Sequence, residues 1–254
     1  MESHDKPGRA WPAARRLLAG FFALTWLVFP GFGIIDLTVT WDPDWPQVLE
    51  AGWGMYMTAL VGVPFALVAA GRCRSAAAVQ LMIAAAALAL AAVAAAEWAL
   101  LTWAAVLAAE TLLVAGVPRW RPASPPRAWR ALGGLFAVGA VPGLLYALAM
   151  WDLNRQDRVD KDITVGIDHY SVQGALPVAV LALVLLATLR PGVRPLTGVC
   201  AGACIAYTGV VSWAWHPTPG SVDQLWSGSA VAWGAAVAVA ALLTAPRHRP
   251  SPGR

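Results

Sequence analysis

From residue 75 to residue 115 the chain runs without a glycine or a proline and is almost uncharged. As one helix, at about 1.5 Å per residue, this run would be about twice as long as the roughly 30 Å hydrocarbon core of a bilayer. It must therefore fold back on itself. Glu97-Trp98 is the polar interruption near its middle, which predicts two antiparallel spans at residues 76–96 and 99–117.

The rest of the sequence repeats this character. Apolar residues make up 59% of the 254 residues and charged residues 13%, about half the charge of a typical soluble domain. That leaves too little polar surface to cover a globule in water. Six further apolar runs, at 17–38, 51–70, 131–151, 168–189, 195–215 and 226–245, bring the expected number of helical spans to eight. The runs are continuously apolar rather than alternating, which excludes a β-barrel. The first run holds Trp26, Phe29 and Pro30 with no small-x-small cleavage site after it, and reads as a span rather than a signal peptide. Three cysteines, none paired in an outer loop, imply no disulfide framework.

Charge sets the expected orientation. Of the 18 Lys and Arg, an eight-span reading leaves only Arg155, Arg158 and Lys161 on one side. The basic termini (1–16 and 246–254), Arg72, Arg74, the Pro/Arg-rich linker 118–130, Arg190 and Arg194 share the other, which the positive-inside rule makes cytoplasmic. Both termini are then expected inside, in the cell membrane. The net charge of +4 is explained by orientation and needs no nucleic-acid partner. Trp41, Trp45, Trp53, Trp98, Trp151, Trp213, Trp215 and Trp226 cluster at the outer ends and read as an interfacial belt.

The two halves resemble each other. Pro30-Gly31, Trp41-Asp42, Gly52-x-x-x-Tyr56 and Pro64 recur in order as Pro142-Gly143, Trp151-Asp152, Gly166-x-x-x-Tyr170 and Pro177. The basic segment 118–122 likewise recurs as 246–250. The pattern predicts one integral membrane domain built from two parallel four-helix repeats, 17–122 and 131–250. The paired prolines each free a backbone carbonyl and favour kinks.

Candidate chemistry falls where the repeat breaks. The second half has Asp168-His169 where the first has Gly54-Met55, and Gln173 where the first has Ala59. His169 and Gln173, four apart, share a helical face. Such a pair could handle protons or ligate a metal. The structural alternative is that Asp168 caps the helix and His169 is an interfacial side chain. Asp36, Glu50, Glu97, Asp152 and His216 are the outer-end groups that could converge on the pair. No His-x-x-x-His or Cys-x-x-Cys gives local metal spacing, so the sequence assigns no metal and no cofactor. Asp160-x-Asp162 lacks the glycine placement and closing glutamate of a calcium loop; it is expected in a solvated, self-neutralising segment.

Glu110 lies within a span, where an isolated carboxylate is a functional candidate or a group paired with a neighbouring helix, with Gln80 as a possible partner. Cys200 and Cys204, beside Gly198 and Gly202, read as close helix packing. No lysine lies in any span, so a retinal Schiff base is excluded. No phosphate-binding loop or hydrolase motif is present. The leading reading is a non-enzymatic small-molecule- or ion-handling membrane protein with its polar focus at the outer end of span 6. The alternatives are an enzyme with an Asp–His centre and a scaffold for a partner membrane protein. The bilayer is the only partner the sequence specifies.

Overall fold

The computed structural model describes residues 13–116, 130–156 and 162–243. These form ten α-helices and one two-stranded hairpin. The helices are α1 (Ala13–Leu27), α2 (Gly33–Val39), α3 (Gln47–Met55), α4 (Val63–Ala69), α5 (Arg74–Ala94), α6 (Ala99–Ala115) and α7 (Arg130–Arg155), followed after the hairpin by α8 (His169–Leu189), α9 (Arg194–Ala214) and α10 (Gln224–Leu243). Six helical segments among the described residues are long and apolar enough to cross a membrane, counting α3 through α4 as one, Gln47–Ala69. α6 is a shorter apolar helix. This all-α, multi-pass architecture is consistent with an integral membrane protein.

The fold-back expected at Glu97-Trp98 is present: α5 ends at Ala94 and α6 begins at Ala99. The first predicted span is not one helix. It breaks after Leu27 and resumes at Gly33, with a cis Phe29–Pro30 bond between. Proline has no N–H to continue the ladder. Pro64 acts differently. The helix ahead of it widens into a π-helical segment, Tyr56–Gly62, in which the Val63 N–H reaches back to Thr58 O. The buried Gln80 donates its Nε2 to Ala59 O at 3.0 Å, supplying a donor where the widened ladder leaves carbonyls exposed. Gln80, a possible partner for Glu110 on the sequence alone, serves the backbone instead.

The paired sequence features fall on different local structures. Pro30 lies in the break after α1, whereas Pro142 lies inside a continuous α7. Gly52 is helical, whereas Gly166 sits in a turn with φ of 82°. Gly52 allows a close approach in the core: a Cβ there would overlap the Gln173 side-chain amide of α8. Gly198 and Gly202 do the same for α9 against α10, facing Ala241, Gly234 and Ala238. The packing role expected of the Cys200/Cys204 face holds, and both thiols are buried.

α3–α4 and α8 are the most enclosed spans, and α7 and α10 are peripheral. One end of the bundle gathers four connections. Asn154 Nδ2 donates to Ala95 O at 3.2 Å, tying α7 to the α5–α6 turn. Tyr146 Oη donates to Gly220 O at 2.6 Å, tying α7 to the α9–α10 loop. The α2–α3 loop, the α9–α10 loop and the start of the hairpin together line a cleft of about 510 Å³. The tryptophans divide. Trp41, Trp45, Trp98, Trp213 and Trp226 are exposed as a belt requires, but Trp53 and Trp151 are buried. Each of these two has found an acceptor for its N–H, Gly31 O at 2.8 Å and Ser171 O at 3.1 Å, which makes burial affordable.

Candidate metal centre

The centre is built by a hairpin. β1 (Ile163–Thr164) pairs antiparallel with β2 (Ile167–Asp168), in the register Ile163↔Asp168 and Thr164↔Ile167. The two turn residues, Val165 and Gly166, both have positive φ, 51° and 82°, the signature of a tight primed turn. Continuing the register by one step sets Asp162 opposite His169. The His169 N–H donates to Asp162 O at 2.9 Å. The side chains meet as well, with His169 Nδ1 3.0 Å from Asp162 Oδ2.

Two residues of α3 complete the arrangement. Glu50 Oε1 lies 3.8 Å from His169 Nδ1. Trp53, one helical turn on, stacks its indole on the imidazole with centroids 4.5 Å apart and planes 19° from parallel. Ligand atoms of Glu50, Asp162 and His169 all lie within 4.8 Å of one another. Asp36 of α2, 5% exposed, is near enough to act electrostatically on both Glu50 and Asp162. Glu50 is 2% exposed and His169 fully buried. Burial alone would raise the Asp162 carboxyl, but the approach of His169 and Glu50 outweighs it and holds Asp162 below its ordinary value.

The charge balance defines what the centre can do. Among the described residues, His169 is the only basic side chain recorded within ion-pair distance of Glu50 or Asp162. His169 Nε2 and Asp36 Oδ2 have no hydrogen-bond partner among the described residues. A buried charge without compensation costs several kcal/mol, so these carboxylates must hold protons or a cation. A tetrahedral ion with bonds of about 2.1 Å would set its donors about 3.4 Å apart. The two separations from His169 Nδ1, 3.0 and 3.8 Å, bracket that spacing. One imidazole with carboxylates suits the borderline divalent ions, zinc, manganese or iron, better than calcium or copper(I). The 510 Å³ cleft, lined by Trp45, Gln47, Asp162, Trp215 and Thr218 among others, provides an approach through Asp162.

The other sequence candidates take different places. Asp168 caps α8, accepting from the Tyr170 N–H at 3.0 Å, so the capping alternative accounts for its position. His169 is not the interfacial side chain of that alternative, because it points into the core. Gln173 packs on Gly52 and donates to Tyr146 Oη at 2.7 Å, a tie between helices. His216 is exposed, 3.2 Å from Ser221 Oγ through Nδ1, and does not join His169. Glu97 stays in the α5–α6 turn, and Asp152 is exposed beside Arg155. Glu110 accepts from Trp26 Nε1 at 2.6 Å, in a separate crevice.

Asp162 is the residue that sequence reasoning placed wrongly, in solvent. The signal was the Val165-Gly166 turn between Ile163-Thr164 and Ile167: a hairpin there returns Asp162 to the mouth of α8. Comparison of the chain with protein-family models, curated proteins and solved structures returned no significant match.

Proposed function

We propose that this protein is a non-enzymatic, ion-handling integral membrane protein that binds a divalent transition-metal ion through Glu50, Asp162 and His169. The observation that carries this reading is a fully buried imidazole set 3.0 and 3.8 Å from two carboxylates, with no other basic side chain beside them among the described residues. Asp36 adds negative charge that would hold the cation more tightly. Trp53 fixes the imidazole plane.

The proposal includes eight crossings in the cell membrane, with α1–α2 and α6 completing the six longer spans, and both termini in the cytoplasm. Its support is the distribution of arginine: Arg155 is at the hairpin end, whereas Arg72, Arg74, Arg190 and Arg194 flank the turns between spans at the other. The metal centre then faces outward. A four-plus-four repeat remains part of the reading, supported by the ordered sequence matches and by the antiparallel pairs α5–α6 and α9–α10. Binding is favoured over transport because no recorded hydrogen bond among the described residues links the centre to Glu110. Trp53, whose N–H goes to Gly31 O, stands between them.

The 510 Å³ cleft favours one alternative, an enzyme in which the same centre acts on a small molecule entering beside Trp45 and Trp215. Both readings require the metal. The purified protein should carry about one zinc, manganese or iron per chain by mass spectrometry. After chelation it should take up cobalt(II) with d–d absorption of a nitrogen–oxygen site. Glu50→Gln, Asp162→Asn and His169→Ala should each weaken uptake by at least about 100-fold, more than the loss of an outer-shell partner. A wild-type protein that takes up no cobalt at millimolar concentration, or a His169→Ala variant with an unchanged spectrum, would overturn the proposal.

A further inference from the structure

Glu110 is a half-buried carboxylate within the apolar helix α6 that the metal centre does not use. It lies on α6 opposite α1, in a crevice of about 280 Å³ lined by Thr25, Trp26, Gly31, Thr102, Trp103 and Val106 among others. Trp26 Nε1 donates to Glu110 Oε2 at 2.6 Å. The Trp26 and Trp103 rings meet edge to face, 5.3 Å apart. Around the crevice, Phe21, Leu24, Val28, Val106 and Leu113 are all exposed; in a spanning chain such a surface faces lipid. No basic side chain among the described residues is recorded in ion-pair contact with Glu110.

These features select a ligand class. A lone carboxylate with two hydroxyls offers too few oxygen donors for a bare metal ion. An indole beside a carboxylate suits an organic cation, which gains from the ring as well as from the charge; Trp26 is buried with its N–H on Glu110, and the half-buried Trp103 is the more accessible ring. The entrance is apolar and lateral, so the ligand must arrive from the bilayer. We propose that the Glu110 crevice binds a lipophilic ammonium: a cationic nitrogen seated against Glu110, Trp26 and Trp103, with its alkyl chain running out along α1 and α6. The site is separate from the metal centre and does not depend on it.

The probe is dodecyltrimethylammonium, titrated calorimetrically into protein-containing nanodiscs, with empty nanodiscs subtracted and dodecanol as the neutral analogue. The wild type should show one saturable site absent with dodecanol. Glu110→Gln, which keeps the acceptor for Trp26, should weaken it at least about 10-fold. Trp103→Leu, which keeps the charge, should weaken it about 3- to 30-fold. As a measurement independent of any variant, dicyclohexylcarbodiimide should modify Glu110 from the lipid phase, located by peptide mass spectrometry, and the ammonium should protect it. Equal binding by Glu110→Gln, equal binding of dodecanol, or no saturable heat above empty nanodiscs would each overturn the proposal. So would carbodiimide labelling of Glu110 that the ammonium leaves unchanged.

Discussion

The approach of α3 to α8 brings Glu50 and Trp53 to His169 in the candidate metal centre, and Gly52 is where it can be tested. In Gly52→Ala the new methyl would overlap Oε1 and Cδ of Gln173. Gln173 is fully buried and cannot swing into solvent. Either its amide leaves Tyr146, where Nε2 now donates at 2.7 Å, or α3 moves off α8. Overpacking of this kind costs about 1–3 kcal/mol, and the lost hydrogen bond about 1 kcal/mol. Alanine's better helix propensity returns roughly 1 kcal/mol. The net expectation is a loss of about 1–3 kcal/mol, and the overlap decides the sign. Glu50 and Trp53 share the helix with Gly52, so metal uptake should weaken as well. The assay is a double-mutant cycle of Gly52→Ala and Gln173→Ala, unfolded in mixed detergent and SDS micelles. Removing the Gln173 amide makes room for the methyl, so the double variant should be more stable than the sum of the singles by roughly 1–3 kcal/mol. Additivity within about 0.5 kcal/mol, or a Gly52→Ala protein as stable as the wild type, would refute the reasoning.

Gly202→Ala should destabilise by about 1–3 kcal/mol in the same micelle assay, because its methyl would meet the backbone of Gly234 and Ala238, which cannot rotate away. Gly134→Ala, with nothing within 4 Å of the added carbon, should be neutral or slightly stabilising. Val165→Asn should stabilise by about 1 kcal/mol, since valine holds φ of 51° in the hairpin turn and asparagine tolerates that region. Single cysteines replacing Asp44 and Arg121 in a cysteine-free background should react with an impermeant maleimide from opposite sides of the membrane; labelling of both from one side would reject the eight-span topology. Arg121 lies outside the described residues.

The helices could be read from the sequence with little ambiguity. Lipid demands that each span satisfy its own backbone, so an apolar run of the right length already names its structure. Seven of the eight expected apolar runs are helical, with ends that differ from the reading by about one turn or less, α3–α4 being one; six of these, among the described residues, are long and apolar enough to cross a membrane. The eighth failed at Pro30, where sequence warned of a kink and the chain instead broke and restarted. Helix packing through Gly202 and capping by Asp168 were also legible, because both depend on neighbours within a few residues or on side-chain size.

The sequence by itself therefore determined a chain of apolar helices and pointed to His169 as a residue without a counterpart in the other half. Only the tertiary structure decided what His169 meets. Glu50 arrives from α3, more than a hundred positions earlier. Asp162 arrives through a hairpin register, and the expected partner His216 stays at the surface. The physical reason is that spans are fixed by each segment's own exchange with lipid, whereas a buried charge is tolerable only beside a partner. Which partner that is depends on how α3, α8 and the hairpin pack, and no local pattern records it.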